Sequence, residues 1–366
     1  MALKRFYIWM ALLTSVMSIS AQSYKVNGKA PGLDGQKVYL IDDQKVNFDS
    51  ATVKDGIFSM EGKLTRIGPT TVKIGTGREM FLLCEVPVTV NVKADTTHIG
   101  EKVLTMPKVS VTGDQDQKLF KEMTKTQSAE MLMMMAIAFL GEKDTLARDS
   151  LVDLYVQAKA EHKAFNDSVV EHFTDSYVSA LVLLEQHAKE MSAQEFQPYY
   201  DRLSNRVKNS LLGKEIASKI EQLKSIGEGA EAPDFEVPTP EGKTLSLSSL
   251  KGKYKCLLID FWASWCGPCL REAPNIQAVY KDYHDKGFEV LSVSIDDSKE
   301  KWLDAIEKHQ LNWLHVSDLK GWKSVVAKRY NVSAVPAMFL LDRNGVIVST
   351  NARGEKLREM VEKLVK

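Results

Sequence analysis

The chain has 366 residues, 44% of them hydrophobic and 26% charged, a composition that excludes a fibrous or disordered chain and leaves room for two or three domains. Lysine plus arginine and aspartate plus glutamate number 48 each, for a net charge of +0. No basic field is available to gather phosphates, so nucleic acid is not an expected partner.

Lys4 and Arg5 are followed by an apolar run of about a dozen residues and then small residues ending at Ala21, the three parts of a secretory signal. Residues 1–21 are therefore expected to be a signal peptide cleaved after Ala21, which directs the chain to the periplasm or cell envelope. The run falls short of the roughly 20 residues that cross a bilayer; an uncleaved anchor is the alternative. No cysteine lies near this segment, so a lipoprotein is not expected.

Residues 22–112 carry short β-type runs at 37–41, 56–60, 70–74, 80–83 and 86–92, punctuated by turn sequences such as "VKDG" and "GTG", and are expected to form a small antiparallel β domain. Residues 113–224 switch to helix, with apolar Leu151, Leu154, Tyr155 and Ala158 at helical spacing. Ser192 and Glu195 have capping-box spacing ahead of a helix that runs towards Leu223. The methionine-rich run Met131 to Met135 is read as adaptable helical packing rather than copper ligation.

"SIGEGAEAPDF", residues 225–235, is read as a linker. Residues 236–366 then alternate strand and helix: strands at 254–261, 288–295 and 313–316, helices at 268–285, 299–309 and 321–330, a hairpin at 338–341 and 346–349 about "DRNG", and a closing helix at 355–365. Such an order implies an α/β domain with a partly parallel sheet, right-handed crossovers and an antiparallel hairpin at one side.

Two of the four cysteines stand in "DFWASWCGPC", residues 260–269, between a strand and a helix. A sulfur at the helix start faces unpaired backbone N–H groups and the positive end of the helix dipole, which favours an anion. Lowering its pKa from about 8.5 to about 7 raises the thiolate fraction at neutral pH from roughly 3% to roughly half. Cys266 is thus the candidate nucleophile. Cys269, one turn on, can attack a mixed disulfide formed at Cys266 and release the partner. Pro268 is tolerated where a helix has no use for its missing N–H, and Gly267 leaves the flank of the nucleophile open. Zinc would need two more ligands at comparable spacing, which the scattered histidines do not offer; a structural disulfide is the other bland reading. The absence of CxxCH argues against covalent haem.

The motifs "FWASWCGPC", "GEGAEAPDF", "LSSLKGK" and "VSAVPAMFLLDRNG", agreeing in order and spacing, resemble the TlpA/ResA-type branch of the thioredoxin-like family over residues 228–366. The front of the chain resembles, more loosely, the β-rich domain of unknown function that precedes such modules. The resemblance implies a thioredoxin-like fold, Cys266 as attacking and Cys269 as resolving thiol, and a cis proline at Pro336 after Val335, whose loop pairs with an extended substrate. It places Asp260 where thioredoxin keeps a buried acid that could take the proton of Cys269, Glu272 at a position with a similar proposed role, and Trp265 as contact surface. Asp260 as an idle strand-end acid, and Glu272 as a first-turn acid complementing the helix dipole, stay open as alternatives. Thioredoxin's lysine near the buried acid is replaced here by Ser292. Cys84 and Cys256 are read as buried small hydrophobes, with a disulfide between them as the alternative.

The expectation is an exported thiol-disulfide oxidoreductase that reduces protein disulfides, with no cofactor beyond the Cys266–Cys269 pair, no metal, a membrane-bound electron donor, and a homodimer through the front parts as one arrangement. A thiol peroxidase, which would have threonine where Ala263 stands, and a non-catalytic envelope binding module with a regulatory CxxC are the alternatives.

Overall fold

The structure is a computed structural model that describes residues 22–99, 102–140 and 145–366; the signal-like segment 1–21 lies outside the described residues. The chain divides into two compact units, Met1–His162 and Lys163–Lys366.

In the first unit, strands β1 (Ser23–Lys29), β2 (Lys37–Ile41), β3 (Asn47–Thr52), β4 (Ile57–Lys63), β5 (Gly68–Ile74), β6 (Gly77–Leu83), β7 (Val88–Ile99) and β8 (Lys102–Thr112) form two four-stranded sheets, ordered β4-β1-β7-β8 and β3-β2-β5-β6. Buried residues alternate with exposed or half-buried ones along β1 and with half-buried ones along β5, the pattern of sheets with one face on a core. Every pairing in these sheets is antiparallel except β1 with β7, which is parallel. Helix α1 (Gln115–Leu140) is anchored at its start, where Leu119, Phe120 and Met123 are buried and the Gln117 amide bonds both the N–H and the carbonyl of Leu82. Beyond Met123 the helix buries none of its side chains. Met131, Leu132, Met134 and Met135 are consequently exposed, not packed as the sequence suggested.

Helix α2 (Thr145–His172) crosses the division between the units. The second unit continues with α3 (Tyr177–Val182), α4 (Ala188–Glu190), α5 (Ala193–Arg202), α6 (Asn205–Asn209) and α7 (Leu211–Ser225). Ser192 caps α5 through the reciprocal bonds with Glu195 that the spacing predicted. Phe196, Ile216 and Ile220 build the small helical core. Helix α7 is tied to the α/β part: Gln222 Nε2 donates to the Lys328 carbonyl at 2.7 Å and Lys219 Nζ to Asn331 Oδ1.

The segment read as a linker is held rather than free. Gly229 N and Ala232 N donate to the carbonyls of Ile347 and Gly345, and Ile347 N donates to that of Ala230.

After the short hairpin β9 (Glu236–Pro238) and β10 (Thr244–Ser246) comes a five-stranded sheet of order β13-β12-β11-β14-β15. Its strands are β11 (Cys256–Trp262), β12 (Phe288–Ser294), β13 (Leu314–Ser317), β14 (Ala337–Asp342) and β15 (Ile347–Ser349), with β11, β12 and β13 parallel and β14 and β15 antiparallel. Helices α8 (Gly267–Tyr283) and α9 (Lys299–Lys308) form the two crossovers; α10 (Val325–Arg329) precedes β14 and α11 (Glu355–Val365) ends the chain. Every residue of β11 and β12 is buried, as in a sheet covered on both faces. Cys256, Leu258, Val290, Met338 and Leu340 pack with Ile276, Val279, Leu357 and Val361 of α8 and α11. Phe261, Tyr330 and Phe339 cluster with ring centroids 5.1 to 6.0 Å apart. The helix expected over 321–330 is interrupted: a 3-10 turn, Gly321–Lys323, is followed by Ser324, which caps α10.

Candidate active site

The site lies at the carboxyl end of β11, where strand gives way to helix. The turn between them is clamped by Asp296, which follows β12. Its carboxylate accepts from Ser264 N (2.9 Å), Ser264 Oγ (2.6 Å) and Ser294 Oγ (2.7 Å). Cys266 is the N-cap of α8, with extended φ −83° and ψ 93°, and its sulfur accepts from Cys269 N at 3.1 Å. A sulfur in that role sits among the unpaired N–H groups of the first turn, where negative charge is stabilised. Cys266 and Cys269 are bonded to each other, S–S 2.07 Å. A Cβ added at Gly267 would meet only the Arg271 guanidinium, at 3.5 Å, so little backbone crowds that side.

Opposite the pair, the Val335–Pro336 peptide bond is cis, and the Val335 carbonyl oxygen lies 3.6 Å from Cys266 Sγ. Arg353 donates to the Pro336 carbonyl. Glu272 reaches in the same direction from α8: its Oε1 accepts from Gly354 N at 2.9 Å and from Asn275 Nδ2 at 2.8 Å. Glu272 thus ties the CxxC helix to the loop that holds Arg353. The oxidised pair is more covered than an open helix start suggests, with Cys266 only 4% exposed and the Val335 carbonyl against its sulfur. Trp265 is 56% exposed and turns outward beside it.

Asp260 is buried in β11. Ser292 Oγ donates to its Oδ2 at 3.0 Å, and Trp313 Nε1 donates to Ser292 Oγ at 2.9 Å. The indole fills a lone pair of the hydroxyl and leaves the hydroxyl proton for the acid. Asp260 Oδ1 has no hydrogen-bond partner. Burial raises its pKa from 3.8 to about 7; Ser292 and the Arg353 charge oppose the rise and Glu272 adds to it. A carboxyl so poised can exchange a proton near neutral pH. Burial also holds the neighbouring His315 neutral, pushed down to about 4.

The structure therefore brings together Asp260, Trp265, Cys266, Gly267, Pro268, Cys269, Glu272, Val335 and Pro336. It adds Asp296, Ser292 with Trp313, and Arg353. Asp296 had a signal, since a residue just after a parallel neighbour of β11 must reach the same sheet edge. Arg353 had none, being brought in by a loop more than 80 residues from the cysteines in the chain. Cys84 and Cys256 are free and buried, each thiol pushed up to about 12 by burial.

Comparison with known proteins adds an independent line. The AhpC/TSA family model matches residues 229–350, and a domain of unknown function, DUF4369, matches residues 24–120. The thiol-disulfide oxidoreductase ResA of Bacillus thuringiensis is 31% identical over 138 residues, 38% of this chain and 76% of that protein. This chain belongs to the ResA family of thiol-disulfide oxidoreductases. The thioredoxin-like protein YneN of Bacillus subtilis is 35% identical over 142 residues, 38% of this chain and 79% of that one. The C-terminal domain of a putative thiol-disulfide oxidoreductase from Bacteroides thetaiotaomicron is 37% identical and covers 38% of this chain and 97% of its own, with a TM-score of 0.37. As a member of the ResA family the protein is an enzyme of thiol-disulfide exchange, its C-terminal domain thioredoxin-like, preceded by a β-sheet domain and a helical segment.

Proposed function

We propose that the enzyme is exported and reduces disulfides of other proteins through Cys266 and Cys269. The Cys266 thiolate attacks a substrate disulfide, forming a mixed disulfide and expelling one substrate thiolate. Cys269 then attacks Cys266 Sγ, closing the intramolecular disulfide and releasing the second substrate thiol. Two electrons pass from the pair to the substrate. Asp260, ionised, takes the Cys269 proton in the second step; Glu272 and Arg353 hold the cis-proline loop against the CxxC helix. A dithiol donor, membrane-bound in this reading, returns two electrons to the pair. Export rests on the signal-like start of the chain, and no helix among the described residues is long and apolar enough to cross a membrane.

The observation that carries the reading is the capping sulfur of Cys266, which accepts from Cys269 N in the first turn of α8 beside the Val335 carbonyl. Incubating Cys269→Ser with extracts of the envelope tests it. Mixed disulfides should persist on Cys266 without the resolving thiol; turnover of a disulfide substrate by Cys266→Ser would overturn it. The AhpC/TSA match supports a second reading, thiol peroxidase, which a hydroperoxide assay separates. Against it, Ala263 has no hydroxyl three residues before Cys266 and the Ser264 hydroxyl is bonded to Asp296.

A further inference from the structure

Five of the six tryptophans are described. Trp262 and Trp302 are buried and Trp313 is half-buried. The two exposed ones, Trp265 at 56% and Trp322 at 47%, are neighbours, with ring centroids 6.2 Å apart. They come from different loops, and each loop is pinned. The Trp265 turn is clamped to Asp296. The Trp322 turn is fixed by Asp318, whose carboxylate accepts from Lys320 N and Val325 N, both at 3.2 Å, and by Gly321, whose φ of 55° suits a residue without Cβ. Val325, also exposed, extends the apolar surface. Large aromatic side chains left half in water on rigid turns are the usual anchors of a binding surface, since little side-chain freedom remains to be lost.

The reacting disulfide determines what covers them. A substrate sulfur must come within about 2 Å of Cys266 Sγ to bond it, and Trp265 is the next residue in the chain. The polypeptide that carries that sulfur is therefore held beside the Trp265 indole, whose neighbour is Trp322. An extended chain advances about 3.3 Å per residue, so the 6.2 Å between the rings matches two of its residues.

We propose that Trp322, with Trp265, forms a docking platform for an extended segment of the substrate polypeptide and selects apolar or aromatic side chains within about two residues of the reacting cysteine. The proposal rests on the reductase reading and sharpens it: the preferred substrates are unfolded or flexible segments in which the cysteine lies among apolar residues.

The test uses the reduced full-length enzyme and two peptides joined to glutathione by a disulfide, identical except for phenylalanine or serine two residues from the cysteine. The two enzyme thiols become the Cys266–Cys269 disulfide as peptide thiol and glutathione are released. The wild type should react with the phenylalanine peptide about tenfold faster; Trp322→Ala should bring the ratio to about one, and Trp322→Phe should keep most of it. A ratio taken within one variant is insensitive to the fraction folded. If Trp322→Ala does not accumulate, Trp322→Gln replaces it with the same expectation. A wild-type ratio near one, or a ratio that survives Trp322→Ala, overturns the proposal. Glutathione disulfide alone separates the two failures. If it oxidises the wild type while the peptide ratio is near one, only the docking platform falls; if neither it nor the peptides react, the reductase reading falls as well.

Discussion

Cys256 and Cys266 stand near opposite ends of one strand, β11, and their surroundings have opposite consequences. Cys256 opens the strand inside the apolar cluster under α8 and α11, fully buried, its thiol pushed up to about 12. Cys266 lies just past the other end, at the N-cap of α8, with the backbone N–H of Cys269 directed at its sulfur. The residue type is the same, and position relative to a helix start separates a buried filler from the proposed nucleophile. Cys84, just after β6, is likewise buried and its thiol pushed up to about 12.

Swapping the two cysteines for near-isosteres breaks the comparison most severely. Cys266→Ser should lower disulfide exchange by about a thousandfold or more, whereas Cys256→Ala should leave exchange unaffected and cost stability of about 1 kcal/mol through a small cavity. Insulin reduction assays and denaturant titration read the two effects. Asp260→Asn comes next. It should slow resolution of the mixed disulfide by about a hundredfold, measured by single-turnover mass spectrometry. It should also remove the rise in resolution rate as pH passes through about 7, where the carboxyl ionises.

The same substitution has a stability signature. In the native protein Asp260 keeps its proton up to about 7, while unfolded it loses the proton near 3.8. The native state therefore binds more protons between those values, and this group's contribution to stability falls as pH rises through that window, by on the order of a few kcal/mol. Asp260→Asn should lack that fall. The smallest effect belongs to the hydrogen-bonded support. Ser292→Ala removes a donor that favours the carboxylate, so the resolution profile should move to higher pH by about one pH unit or less. A profile that stayed in place would remove Ser292 from the proton-transfer arrangement.

Much of the C-terminal domain was legible because strand and helix alternate there with unambiguous length and spacing. The segments 288–295, 299–309 and 355–365 correspond closely to β12, α9 and α11. The CxxC turn was legible because its chemistry is local. What escaped depends on tertiary pairing. β1 and β3 carry too few apolar residues to stand out as strands, yet pair with β4 and β2. The methionines of α1 matched a packing pattern, but among the described residues no side chain of α1 beyond Met123 is buried. Trp322 falls within the helix expected over 321–330, which Ser324 interrupts. Trp313 and Arg353 acquire their roles only through neighbours distant in the chain.

The difference between Cys256 and Cys266 is tested most directly by the pH dependence of iodoacetamide alkylation in the reduced native protein, with each cysteine followed by peptide mass spectrometry. Cys266 should react with a midpoint well below the roughly 8.5 of a free thiol, while Cys256 stays unmodified until the protein unfolds. A Cys266 midpoint at or above that value, or equal reactivity of the two cysteines in the native protein, would contradict it.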